Sequence, residues 1–188
     1  EPIFFNQHPF ENGPACNDFF GGNIQGIIEK LPYLTELGIG VLYLNPIFEA
    51  FSNHRYDTGD YETPDEILGT VEDFEKLAKA AEKNGIRIIL DGVVSHTGAD
   101  SKYFNKFNNY DSIGAAQSTD SPFYSWYSFS HFPDKYESWW GFDSLPNVNE
   151  LDENFTKYIA SGKDSVIKKW LHRGASGIRL DVADELPD

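Results

Sequence analysis

The feature that most constrains this chain is an alternation. Amphipathic stretches with helical spacing take turns with short apolar stretches, and one long irregular segment interrupts them. Residues 23–37, NIQGIIEKLPYLTEL, place Ile24, Ile27, Ile28, Leu31, Leu34 and Leu37 at helical spacing, with Gly38 as a stop. A helix is predicted there, with Pro32 absorbed as a kink or a break. IGVLYLNP follows as a strand ended by Pro46, and then a polar segment. A second helix is predicted in VEDFEKLAKAAEKNG, started by Thr70 or Glu72, with Phe74, Leu77, Ala78 and Ala81 on one face before Gly85. IRIILDG reads as a buried strand. Residues 97–150 hold no clear helix–strand pair and are dense in Ser, Asn, Asp and aromatic residues, which marks an inserted loop-rich subdomain. Order returns with NFTKYIASGKDSVIKKWLHRGA, one or two helices, and the strand SGIRLDVA.

Strands joined by helices of this length make right-handed crossovers and a parallel sheet. Both a doubly wound sheet and part of a (β/α)8 barrel satisfy the order. No G-x-G-x-x-G or P-loop follows a strand, which weakens the nucleotide-binding form of the first.

Charge narrows the function classes. With 30 acidic and 15 basic residues, a net charge of −15 and no Lys/Arg cluster, the chain would repel a phosphate backbone, so no nucleic-acid partner is expected. No apolar run approaches the roughly 20 residues that span a bilayer, so no membrane partner is expected either. The single Cys16 excludes an internal disulfide. The chain begins Glu1-Pro2 and contains no Met, so it is expected to be a processed or excised piece of something longer.

In parallel α/β folds, sites form at the C-terminal ends of strands. The distinctive polar residues fall there each time. VLYL ends in Asn45 and leads to SNHRYDTGDY, with His54, Tyr56, Asp57 and Asp60; IRIIL ends in Asp91, followed by His96; GIRLDV carries Arg179 and Asp181, with Asp184 and Glu185 just beyond. Side chains alternate across a strand, so Arg179 and Asp181 share one face while Ile178, Leu180 and Val182 take the other. An Arg beside an Asp keeps the carboxylate ionised and oriented, as a carboxylate nucleophile requires. Each piece also has a structural reading: a buried ion pair at Arg179 and Asp181, satisfied loop histidines at His54 and His96, turn formers at Asp57 and Asp60 around Gly59. The aromatic insert SPFYSWYSFSHFPDKYESWWGF packs a small core of its own on the same reading, yet rings interleaved with Asp, Asn and Ser also suit a sugar.

DGVVSH and GIRLDVADE resemble two signatures of the α-amylase family of glycoside hydrolases, (β/α)8 barrels with a subdomain inserted after the third strand. LYLNPIFEAFSNHRYDTGDY, WWGFDSLPNVN and Glu185 look like the neopullulanase, cyclomaltodextrinase and maltogenic amylase branch. The resemblance covers essentially the whole chain. It implies about half a TIM barrel, from the first helix to the fourth strand. Residues 1–96 and 151–188 would be barrel segments, and residues 97–150 the inserted subdomain. It implies a retaining hydrolase of α-1,4 glucans, with α-1,6 links as a further target, such as cyclodextrin, pullulan or starch. Asp181 matches the nucleophile that forms a glycosyl-enzyme intermediate, and Arg179 the Arg that fixes its charge. Asp91 supports the site, His96 binds the sugar at the cleavage subsite, and Tyr56 is the aromatic platform under that sugar, with Asp60 as its structural neighbour. Glu185 stands on the substrate side, where many other amylases carry His.

The family's general acid is a Glu at the end of the fifth strand, about 5 to 5.5 Å from the nucleophile in a retaining enzyme, and its third catalytic Asp lies near the seventh. Glu185, four residues past Asp181, does not fit the acid's place. The chain alone is therefore expected not to hydrolyse glycosides. No cofactor is implied. Ser95 stands where many members carry a calcium-binding Asn, LPNVN differs from the usual form of that motif, and Asp184 replaces the Asn common in the neopullulanase branch. An α-glucosidase or glucanotransferase uses the same nucleophile, and a non-catalytic glycan-binding or scaffold barrel is the alternative of another class. The open edges of a half barrel leave self-association open. A cytoplasmic location follows from the cyclodextrin-type relatives, with secretion as the alternative.

Overall fold

The computed structural model describes residues 21–187. Asn23 caps α1 (Ile24–Glu36) by accepting the Gly26 backbone N–H at 2.8 Å. The helix runs through Pro32, so the proline is absorbed as one missing N–H and not as a break; Ile24 and Leu31 form its buried stripe. β1 (Val41–Leu44) follows. The polar stretch after it is not a plain loop. It folds into an antiparallel ribbon of β2 (Phe48–Ala50) and β3 (Thr58–Pro64), with register shifts on either side of Glu49. Helix α2 (Val71–Lys83) starts at Thr70, whose hydroxyl accepts the Asp73 N–H while Asp73 accepts the Thr70 N–H, a capping box. Phe74, Leu77, Ala78 and Ala81 are its buried face, as their spacing predicts.

β4 (Arg87–Gly92) leads into the irregular segment, which contains only the hairpin of β5 (Phe129–His131) and β6 (Lys135–Tyr136) and two single turns, at Tyr124–Trp126 and Trp139–Gly141. Most of its rings pack a core of their own: Tyr103, Phe104, Trp126 and Tyr127 are buried against one another and against Phe123, Phe129 and Tyr158. Its last stretch returns to the strand end. Asn147 bridges to His96, and the Val148 N–H donates to the Ser95 carbonyl at 2.9 Å.

The two closing helices are α3 (Glu153–Thr156), continued by a π-helical turn over Lys157–Ser161, and α4 (Val166–His172). Trp170 of α4 joins the parts. It is fully buried, lies 5.1 Å from both Phe48 and Phe74, and donates its indole N–H to the Tyr61 carbonyl at 2.8 Å. β7 (Gly177–Leu180) then completes a parallel sheet in the order β1–β4–β7, with Tyr43 opposite Ile89 and Asp91 opposite Arg179.

β7 is shorter than its sequence pattern. The Asp181 N–H still donates to the Gly92 carbonyl at 3.1 Å, but Val182 turns into the left-handed region at φ 41°, so it does not continue the face of Ile178 and Leu180. Gly92 lets β4 and β7 approach: a Cβ there would stand 2.6 Å from the Ile178 side chain. The sheet's two faces are unlike. Ile88, Leu90 and Ile178 belong to the core with α2 and α4, while the face that carries Tyr43, Asp91 and Arg179 holds the polar network described next.

Candidate active site

The network is built around Asp91. Its side chain is fully buried, and a buried carboxylate is costly unless hydrogen-bonded donors surround it. Three surround this one. Tyr43, on β1, donates its phenol O–H to Oδ2; Tyr56, from the loop before β3, donates to the same oxygen at 3.1 Å; Arg179 Nη1 lies 3.0 and 3.2 Å from the two oxygens. Strand register makes the last contact possible, because Asp91 and Arg179 are partners across β4 and β7.

The same Arg179 nitrogen donates to Asp181 Oδ1 at 2.6 Å. Its bonds to Asp181 and then to Asp91 raise the guanidinium pKa, so the cation is fixed. Burial, followed by the hydrogen bond to Asp91, pushes the Tyr43 phenol up, and burial does the same for Tyr56. Both phenols are therefore neutral donors at ordinary pH. The Arg179 guanidinium also lies 5.9 Å from the centre of the Tyr43 ring.

His96 sits at the rim of this group, 2% exposed. One ring nitrogen, Nε2, is 3.1 Å from the Tyr56 carbonyl, which can only accept, so Nε2 carries the proton; Nδ1 then accepts from the Ser95 hydroxyl at 2.9 Å. Burial lowers its pKa, partly offset by Asp181, the Tyr56 carbonyl, Asp57 and Glu185. Both nitrogens are thus committed to the protein. In this geometry His96 holds the backbone of Tyr56 through its Nε2–H.

Glu185 is placed behind a tryptophan. Its carboxylate accepts the indole N–H of Trp139 at 2.9 Å and of Trp140 at 3.1 Å, and Trp139 lies against the His96 ring at 5.4 Å. Asp60 is held elsewhere. On β3 it pairs with Lys102 Nζ at 2.7 Å and accepts the Tyr103 O–H at 3.3 Å, so it joins the ribbon to the insert and the structure does not bring it to Asp181. Asp57 closes its own loop by accepting from Ser52, and His54 Nδ1 accepts the Tyr56 N–H at 3.1 Å. Asn45 and Asp184 are exposed.

Three members of the site were not singled out from the sequence: Tyr43, Trp139 and Trp140. Tyr43 carries a usable signal, since alternation along VLYLN puts it on the face of Asn45 and away from Leu42 and Leu44. Among the described residues no three His, Cys, Asp or Glu side chains gather so as to hold a metal ion, and the Ser95 hydroxyl is committed to His96.

Two carboxylates and an Arg at the C-terminal ends of adjacent parallel strands, walled by tyrosines and tryptophans, define a polar-ligand site of the α/β-enzyme class. The chain belongs to the α-amylase family: the family described as "Alpha amylase, catalytic domain", one of (β/α)8-barrel glycosidases, matches residues 5–188. It is 46% identical over 193 residues to an amylopullulanase from Thermoanaerobacterium saccharolyticum, which covers 93% of this chain and 15% of that protein. An intracellular maltogenic amylase from Bacillus subtilis is 36% identical over 178 residues, covering 92% of this chain and 28% of that one. Among solved structures, cyclic α-maltosyl-(1→6)-maltose hydrolase from Arthrobacter globiformis, in complex with cyclic α-maltosyl-(1→6)-maltose, superposes with a TM-score of 0.80 at 34% identity, over 91% of this chain and 38% of that one. The chain thus spans a minor part of each relative's length. Among the described residues no helix is long and apolar enough to cross a membrane.

Proposed function

We propose that this chain is the nucleophile-bearing part of a retaining α-glucan hydrolase and that Asp181 is the nucleophile. One observation carries the reading: Arg179 grips Asp181 while itself fixed on buried Asp91, at the ends of paired strands. A carboxylate nucleophile must be ionised, aimed and unable to rotate, and a charge-assisted bond from a fixed guanidinium serves all three needs. An Asp181 oxygen attacks the anomeric carbon as the glycosidic C–O bond breaks and the leaving oxygen takes a proton from the general acid. Water, or a sugar hydroxyl in transglycosylation, then gives its proton to that same group, now the base, while its oxygen displaces Asp181 from the anomeric carbon with configuration retained.

Asp91 acts as a positioning residue through Arg179, Tyr43 and Tyr56. Tyr56 offers its ring as the platform under the reacting sugar, and His96 holds that platform through its backbone. Glu185 is engaged by two indoles and does not serve as the acid. We assign the acid to a Glu outside this chain, so the chain alone is expected to be inactive.

We further propose that β1, β4 and β7 are the second, third and fourth strands of a (β/α)8 barrel, with residues 97–150 inserted between segments 1–96 and 151–188; residues 1–20 lie outside the described ones. Pairing on one side only for β1 and β7 among the described residues suits that placement and leaves edges for self-association. The names of the relatives, an amylopullulanase, an intracellular maltogenic amylase and a cyclic α-maltosyl-(1→6)-maltose hydrolase, support α-glucans as substrates and, from the second, a cytoplasmic location.

Product release from β-cyclodextrin, pullulan and soluble starch by the intact protein tests the reading, beside a folded Asp181→Asn variant. Cleavage by the parent and loss of several orders of magnitude in the variant is the expected result. Equal cleavage by both would overturn the nucleophile assignment, and no cleavage by either would favour a glycan-binding role.

A further inference from the structure

The hydrolase reading uses Asp181, Arg179, Asp91 and Tyr56 and leaves the indole pair of the insert without a task. That pair is unusual. Trp140 is 76% exposed, and its backbone sits at φ 51°, a left-handed conformation that a bulky side chain adopts only when its surroundings impose it. Glu185, beyond the nucleophile's strand, binds the indole N–H of Trp139 at 2.9 Å and of Trp140 at 3.1 Å, which fixes both ring planes.

The planes form a series. Trp139 lies 5.4 Å from the His96 ring at 35°, Trp140 lies 5.3 Å from Trp139 at 25°, and Phe142 lies 6.3 Å from Trp139 at 25°. Near-parallel rings therefore run outward from the reaction centre to an exposed indole with a free face. The C–H face of a pyranose stacks on such a surface, and its hydroxyls need acceptors at the edge. The Glu185 carboxylate has about four lone-pair sites, of which the indoles take two, so it can still receive hydroxyl donors. A neutral ligand also suits a chain of net charge −15, which would repel an anion.

We propose that Trp140, clamped by Glu185, is the stacking platform of a further glucosyl subsite outside the cleavage subsite. The platform makes the enzyme select α-glucan oligomers over short saccharides, and it rests on the hydrolase reading for its ligand class. Trp140 is here a specificity-determining residue and Glu185 a positioning residue.

The test separates this platform from the reading it rests on. The intact protein carrying Asp181→Asn, which prevents turnover, is titrated calorimetrically with maltohexaose and with maltose, with and without Trp140→Ala. The exposed indole can be truncated without opening the core, and thermal melting checks that each variant folds. Trp140→Ala should weaken maltohexaose about tenfold and leave maltose within about twofold, and Trp140→Phe should restore most of the loss. Glu185→Ala should reproduce the length-selective loss with the indoles still present. Equal loss on both sugars, or no loss on either, overturns the platform. Hydrolysis by the unmodified protein is measured separately. Turnover without a length-selective effect removes the platform and keeps the hydrolase; a length-selective effect without turnover does the reverse.

Discussion

One nitrogen of Arg179 donates to Asp181 at 2.6 Å and lies within 3.2 Å of both oxygens of Asp91. The cation is thus a link between a partly buried working carboxylate and a fully buried anchor. Lys reproduces it poorly, because an ammonium is a strongly hydrated point charge on a flexible stem, whereas the guanidinium is rigid, planar and weakly hydrated. Arg179→Lys is expected to lower kcat about a hundredfold with a much smaller change in KM, in the range seen when one preorganised charge-stabilising donor is lost. Steady-state kinetics on one soluble glucan check this; a kcat within about threefold of wild type would mean that Asp181 needs no such link.

Tyr43 and Tyr56 both donate to Oδ2 of Asp91, from different elements. Removing the Tyr43 hydroxyl leaves the fully buried carboxylate with Tyr56 and Arg179 and one donor short. Tyr43→Phe is expected to cost about 2 kcal/mol of stability, within the penalty for an under-satisfied buried group. Chemical denaturation of the two proteins measures it. An unchanged midpoint would place water, or a neighbouring chain segment, in the hydroxyl's role.

Much of this arrangement is legible in the sequence, for reasons that can be named. Ile24, Leu31, Phe74, Leu77 and Ala81 repeat at the helical period, and all are buried. Arg179 and Asp181 are two apart where β7 ends, and the Asp181 N–H still pairs with Gly92, so alternation carries both to a common face. The ribbon was not legible, because β2 and β3 lack clean alternation and slip register around Glu49; Phe48 and Tyr61 take their places through contact with Trp170 and with each other. The clamp on Trp139 and Trp140 spans 46 and 45 residues, a separation at which no period carries information. The partners of Asp60 were hidden for a related reason. That residue stands near Tyr56 in sequence, but it faces the insert, where Lys102 and Tyr103 claim it.

Gly92 marks a close approach of β4 and β7 beside the site. A methyl group there would meet Ile178 Cγ2 at 2.6 Å and the Arg179 carbonyl at 3.4 Å. The first contact is too short to keep, so β7 must shift or Ile178 must leave its rotamer, and overpacking of this kind costs about 1–3 kcal/mol. Because Arg179 lies on the displaced strand, Gly92→Ala should lower both the melting temperature and kcat. A variant with wild-type kcat and a lowered melting temperature would show that Ile178 absorbs the strain alone.

His96 sets a pH dependence whose sign follows from its surroundings. Burial is the largest influence and lowers its pKa below the ordinary 6.5, so the folded protein holds the neutral ring where an unfolded chain would already bind a proton. The contribution to stability is therefore full above about pH 6.5 and declines as the pH falls through that value, until the ring protonates in the folded state too. Protonation would also turn Nδ1 into a donor facing the Ser95 hydroxyl, which must then rotate. Asp100 and Glu150, both raised chiefly by burial, titrate on the acid side and slope the opposite way, so the effect of His96 has to be read as a difference. Melting temperatures of wild type and His96→Asn are compared from about pH 8 to about pH 5. The gap between them should narrow as the pH falls, since only the wild type loses the neutral ring. A constant gap would mean that His96 keeps an ordinary pKa, and a widening one that its charged form is the stabilised one, held by Asp181, Asp57 and Glu185.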